Sequence, residues 1–193
     1  RLFAMADLLR MRAACFHARN GDYGPVTSSV RHGERAALVC RSAREAAAVA
    51  LMAAGIVKAS TGHVLIEEFD PRAQSAHCKR IAAFVPHAPV PIEESEFERY
   101  VVYRAALWDV DPRRAVAHAR LLMERLSDMH EAFAYPLVGA LIANPKLLVL
   151  DRPEPVYAQL IMEAVGSRAI FSTHLDAAAA RAFGPPAGEA LRV

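Results

Sequence analysis

Residues 144–151 read NPKLLVLD and residues 169–174 read AIFSTH. Each stretch is a short apolar run that closes on a side chain able to do chemistry, Asp151 in the first and Thr173-His174 in the second. Apolar runs this short, bounded by polar residues, predict strands buried on both faces. Strands of that kind belong to parallel sheets covered by helices on each side. Working outward, Ala36–Val39, His63–Ile66 and Ile81–Val85 give further strand runs, the last ended by Pro86. Ala13–Phe16 and Val26–Val30 are short β-like runs separated by the turn-forming Asn20-Gly21-Asp22. Helical signals lie between these strands. Ser42–Ile56 is alanine-rich, with Gly55 near its end where a helix stop is expected. Glu94–Trp108 and Pro112–Leu126 carry helical periodicity, and Asp176–Ala182 is helix-forming. Strands alternating with helices predict a three-layer α/β domain with a helical insertion.

The composition sets outer bounds. With 193 residues, 54% hydrophobic and 23% charged, the chain is long and apolar enough for one globular core. The longest uncharged stretches, residues 46–57 and 132–145, fall short of the ~20 apolar residues of a membrane span. No direct membrane insertion is expected. The 23 basic and 21 acidic residues are spread along the chain without a basic stripe, so nucleic acid is not expected as the main partner. Cys15, Cys40 and Cys78 are widely separated, which argues against a disulfide framework and fits a reducing cytoplasm. The eight histidines include no H-E-x-x-H and no zinc spacing, so no metal site is expected. The first dozen residues lack the small-residue cleavage pattern of a signal peptide.

The segments RHGERAALV (31–39), AAGIVKASTGHVLIEEFDP (53–71), IAAFVPH (81–87), ALIANPKLLVLDRP (140–153) and FSTHLDAAAARA (171–182) stand in a telling order. In that order they resemble the nucleotide-binding domain of ATP-binding cassette (ABC) transporters. NPKLLVLD resembles its Walker B strand, and STH its switch-histidine strand end. The resemblance implies a P-loop NTPase-like three-layer core over residues 1–86 and 145–193. It also implies a shortened helical subdomain over about residues 87–144 within one cassette-type domain. Its implied partners are a permease-like membrane subunit, a second cassette subunit, or both, and its implied place is cytoplasmic, peripheral at the inner face of a membrane.

The catalytic pattern departs from the resemblance. A phosphate-binding loop needs G-x-x-x-x-G-K-[ST], because glycine amides approach the phosphates, Lys neutralises them and the hydroxyl binds magnesium. Aligned without gaps, Cys40, Ala43 and Glu45 stand at the glycines, Ala46 at the lysine and Ala47 at the hydroxyl position. Ser42-Ala43-Arg44-Glu45 reads instead as a capping box. Its carboxylate either takes the place of a phosphate at the helix start or serves as an ordinary cap. The glutamate expected after Asp151 is Arg152, whose guanidinium cannot accept a proton. His87 replaces the expected glutamine, and a solvated loop position is the simpler reading for it. Leu126-Ser127-Asp128-Met129-His130 has no glycine and does not make the LSGGQ signature. His174 stands at the switch position, with a structural role favoured in the absence of a Walker A. Phe16 and Tyr23 are near the place of the base-stacking aromatic.

Ser42, Glu45, His87, Asp151, Arg152 and His174 are therefore expected as remnants of a nucleotide site, with no catalytic residue and no cofactor. The expected function is that of a catalytically inactive homologue acting as a structural or regulatory subunit of a transporter-like complex. The alternative is a weak ATPase that takes ATP and magnesium, its phosphates held by Arg41 and Arg44. Asp151, without magnesium, should find a partner among Arg152, Arg41 and Arg44. Phe97, Tyr100, Val101, Tyr103 and Trp108, in an apolar-rich helix, are expected to dock a partner.

Overall fold

The computed structural model of the chain describes residues 7–88 and 91–186. Two long strands, β1 (Asp7–Ala18) and β2 (Gly21–Arg31), form an antiparallel hairpin. β4 (Thr61–Ile66) pairs antiparallel on the other side of β1, giving a three-stranded sheet in the order β2-β1-β4. β3 (Arg35–Val39), β5 (Ala82–Val85), β6 (Leu147–Asp151) and β7 (Ala169–His174) form a parallel sheet in the order β3-β7-β6-β5. The strand runs read in the sequence are all present. β1 and β2 are much longer than expected, because their polar residues face outward and interrupt the apolar signal.

The parallel strands alternate between two cores, as strands covered on both faces must. Leu38, Leu147, Val149 and Phe171 face α1 (Ala43–Ala53), α2 (Ser75–Ile81) and the antiparallel sheet. Ala37, Ala83, Leu148, Leu150 and Ile170 face the opposite side. There they meet a group of helices that includes α3 (Phe97–Leu107), α4 (Pro112–Arg125) and α5 (Glu131–Leu141). The same side takes α6 (Ala158–Val165) and α7 (Ala177–Arg181).

Three helices were not expected from the sequence. α5 holds Pro136 in its interior and is buried without a break from Ala134 to Leu141. A helix buried all round shows no amphipathic period, and an interior proline argues against it locally. α6 buries Ala158, Ile161, Ala164 and Val165, a helical spacing that was legible. α2 is only seven residues long, and Ile81 ends it instead of starting β5.

Register places the chemistry. Val39 lies opposite His174, Asp151 opposite Thr173, and Val85 opposite Leu150. The carboxyl ends of all four parallel strands therefore share one edge of the sheet, where open α/β folds bind their ligands.

Candidate functional site

At that edge the loop after β3 enters α1 through Ser42, whose hydroxyl accepts the Glu45 amide at 3.1 Å. This is half of a capping box. The other half differs from expectation, because the Glu45 carboxylate passes over Ser42 and accepts the amide of Arg41 at 2.7 Å. It also accepts Arg41 Nη2 at 2.6 Å and Nε at 3.1 Å, and the Gly24 amide from β2 at 3.3 Å. Arg41 Nη2 in turn donates to the Gly24 carbonyl at 3.1 Å. Glu45 is only 3% exposed. Burial raises its pKa, but the hydrogen bonds and charge of Arg41 outweigh this and hold the carboxyl below its ordinary value. An internal anion thus sits at the start of α1, where the helix dipole favours negative charge.

Gly24 is the participant that the sequence reading missed. Its φ is +113°, and a Cβ there would lie 2.5 Å from the Ala14 carbonyl oxygen, so the two strands of the hairpin pack together here only with glycine. Only the fold brings residue 24 beside residue 45, so no local signal marks it.

The end of β6 is closed in the same manner. Arg152, with φ of +45°, turns back on Asp151 and donates Nε to Oδ1 at 2.8 Å and Nη2 to Oδ2 at 3.1 Å. Asp151 thus has the cationic partner expected for it, and of the three arginines considered that partner is Arg152. Thr173 Oγ1 adds a longer bond to Asp151 at 3.4 Å. His87 is not a solvated loop residue. It is half-buried, and its Nδ1–H donates to the Arg152 carbonyl at 2.8 Å. Beside these groups Met129, Phe133, Leu137, Tyr157 and Ile161 leave a cavity of about 30 Å³, room for a water or two.

His174 is buried at 1% exposure, with Nε2 2.9 Å from the Ser172 hydroxyl and its ring 5.2 Å from that of Phe183. Burial lowers its pKa to about 4, so the ring is neutral near neutrality. Its carbonyl accepts the Cys40 amide at 2.8 Å, tying β7 to the loop before α1. Burial, with the charges of Glu45 and Asp151, pushes the Cys40 thiol up to about 12, which removes it as a nucleophile. Tyr23 and Phe16 face each other across the hairpin, with the Tyr23 hydroxyl donating to Asn20. Leu126 and Met129 are core residues and His130 caps α5, so the segment read for a signature serves helix packing.

These arrangements test the site against a nucleotide's phosphates. Glu45 already takes the Arg41 amide and guanidinium and the Gly24 amide beside the start of α1, and Ala46 and Ala47 offer neither charge nor hydroxyl. As they stand, the residues do not fit a triphosphate with magnesium. Among the described residues no group of three or more His, Cys, Asp or Glu side chains gathers to hold a metal.

No protein-family model matches the sequence, and no curated protein matches it. Solved structures do. A structure described as the ATP-binding subunit of an ABC transporter superposes with a TM-score of 0.72 at 19% identity, over 91% of this chain and 83% of that one. The chain has the ATP-binding cassette fold. cbiO1 from Clostridium perfringens, described as part of the ABC transporter complex cbiONQ, gives 0.67 at 16% identity, over 87% of this chain and 78% of that one. The cassette MJ0796, in a post-hydrolysis state bound to ADP and Pi, gives 0.67 at 13% identity, over 91% of each chain. The P-loop NTPase-like class expected from the sequence is therefore the observed one, in a short version of the cassette. The expectation of no cofactor is overturned. One neighbour in this fold is described as an ATP-binding subunit and another was solved with ADP and Pi.

The cassette's helical side also corrects the expected docking surface. Val101 is 1% exposed, the Phe97 ring stacks on Tyr135 at 4.2 Å between centroids, and the Tyr100 ring lies over Gly139. Phe97 and Tyr100 serve packing between α3 and α5, and Val101 lies in the helical core. Trp108 ends α3 half-buried, with its indole N–H lacking a partner among the described residues. Tyr103 alone of the five is well exposed, at 61%, and its exposed apolar neighbours are Val102 and Leu107. No helix among the described residues is long and apolar enough to cross a membrane.

Proposed function

We propose that this chain is a non-hydrolysing cassette subunit, a structural or regulatory part of a membrane-associated, transporter-like complex. The observation that supports it best is that Glu45, Asp151 and His174, at the sheet's carboxyl edge, each bond to a partner within the chain. Glu45 is held by Arg41, Asp151 by Arg152, and the His174 ring is turned to Ser172. Hydrolysis needs a base to take a proton from the attacking water. The residue after Asp151 is an arginine, and a guanidinium cannot serve. Nucleotide enters this reading as a ligand held without turnover, one that must displace the Glu45 carboxylate to reach the start of α1.

A permease-like membrane subunit, a second cassette subunit, or both are the partners this reading takes. It is supported by likeness to cbiO1, itself described as part of a transporter complex. The outward side of α3, with Val102, Tyr103 and Leu107, supplies an exposed apolar strip for such a contact. The chain then works peripherally at the inner face of a membrane, with residues 87–144 as the helical subdomain that docks.

Phosphate release by the purified chain under saturating Mg-ATP tests the reading. The expected rate equals an enzyme-free blank, alone and with its partner present. Release above that blank which Asp151→Asn abolishes would overturn it.

A further inference from the structure

The carboxylate that ends β6 is closed by its own neighbour in sequence. Arg152 stands at φ +45°, a left-handed backbone that residues other than glycine seldom adopt, and its bonds hold it there. Its amide donates to the Thr173 carbonyl at 3.0 Å, and its carbonyl accepts His87 Nδ1–H at 2.8 Å. So held, the guanidinium places Nε and Nη2 at 2.8 and 3.1 Å from the two Asp151 oxygens and spans both at once. The Asp151 side chain is 6% exposed and that of Arg152 19%, which leaves little water to weaken the pair. The Thr173 hydroxyl is turned to the same carboxylate, at 3.4 Å.

A carboxylate at a strand end is a place for a metal, and here a cation from the chain already occupies it. Magnesium takes oxygen ligands at about 2.1 Å. On either Asp151 oxygen it would lie within about 5 Å of the guanidinium, where two positive charges repel. Glu45 is committed to Arg41 in the same way. The charges of all four side chains act on the one Cys40 thiol, which sets both pairs about the same loop. Neither carboxylate is free to bridge through a divalent ion to a phosphate.

We propose that this edge takes its nucleotide free of magnesium, with the Arg152 guanidinium standing where the divalent ion would bind Asp151. The ligand class is a nucleoside di- or triphosphate without bound metal, met by Arg41 once Glu45 is displaced. This rests on the reading of nucleotide as a ligand held without turnover, and adds the form in which it is held.

Calorimetric titration of the full chain with ADP, once in millimolar magnesium and once in EDTA, tests it. The same two titrations of Glu45→Ala read it where the start of α1 is open. Affinity with magnesium is expected to be within about twofold of that in EDTA, or weaker. Arg152→Ala should bind ADP several-fold more tightly with magnesium than without, because Asp151 then faces the ligand unpaired. The parent titrations decide the matter even if that variant does not fold. Binding by the parent that magnesium tightens by more than about twofold would overturn the proposal and leave the nucleotide reading standing. So would a cooperatively melting Arg152→Ala that stays indifferent to magnesium. Absence of saturable ADP binding by the parent and by Glu45→Ala, in both buffers, would sink the nucleotide reading and this proposal together.

Discussion

Replacing Glu45 by alanine removes the anion on which the start of α1 is built. The carboxylate side chain is 4% exposed and accepts four donors, the amides of Arg41 and Gly24 and two guanidinium nitrogens of Arg41. Hydrogen bonds to a charged group contribute about 1.5–3 kcal/mol, and breaking a fully buried pair costs about 3–5 kcal/mol. Here the full figure does not apply, because Arg41 is 66% exposed and its guanidinium regains water once released. The loss that remains is the acceptor for two amides and the link between β2 and α1. We expect about 2–3 kcal/mol, a fall in melting temperature of roughly 5–10 °C for a chain of this length. Glu45→Gln keeps the shape without the charge and should lose about half as much. The pH dependence has a definite sign. With the folded carboxyl below its ordinary value, its stabilisation is complete above the unfolded pKa and is lost as pH falls through the folded one. Acid unfolding of Glu45→Gln should therefore be less steep than that of the parent below about pH 4.5. Calorimetric melts at several pH values read these quantities, and titration of parent and Glu45→Ala with ADP reads the consequence for ligand. The variant should bind ADP more tightly, since the start of α1 and Arg41 are both freed. A melting temperature within about 1 °C of the parent, or weaker ADP binding by the variant, would refute the reasoning.

Three other outcomes are expected. Burial holds His174 at a pKa of about 4 against 6.5 when exposed, so the unfolded chain takes up this proton first. Stability should be undiminished above pH ~6.5 and fall on the order of 3 kcal/mol between there and pH ~4, a slope that His174→Gln should flatten in urea titrations. Arg152→Ala strips Asp151, whose side chain is 6% exposed, of its bidentate partner, and should cost about 3 kcal/mol by urea unfolding. The double variant Asp151→Ala/Arg152→Ala should recover part of that loss, and simple additivity would count against the pairing. Tyr100→Ser should lower the melting temperature by several degrees, because the ring packs on Gly139, whereas Tyr103→Ser should not. If Tyr103→Ser keeps partner association intact, α3 is not the contact.

The runs ending in Asp151 and His174 determined a great deal by themselves. A strand covered on both faces must be apolar throughout, so its signal is local and survives without any knowledge of its neighbours. The three-layer class was legible for that reason, whereas the sequence left Arg152, Arg41 and Arg44 open as partners for Asp151 and packing chose Arg152. α5 was not legible. Its apolar character comes from burial on every side, and Pro136 contradicts the helix that the surrounding core holds in place. Tertiary structure alone decided which aromatic rings of α3 face α5 and which face water. It also turned His174 inward and brought the Gly24 amide to the Glu45 carboxylate across 21 positions of sequence. A hydrogen bond acts over about 3 Å, while chain separation says nothing of distance until the sheets have formed. The sequence therefore determined which groups this protein carries at its sheet edge, and the packing of hairpin against helix decided which of them are already spent on one another.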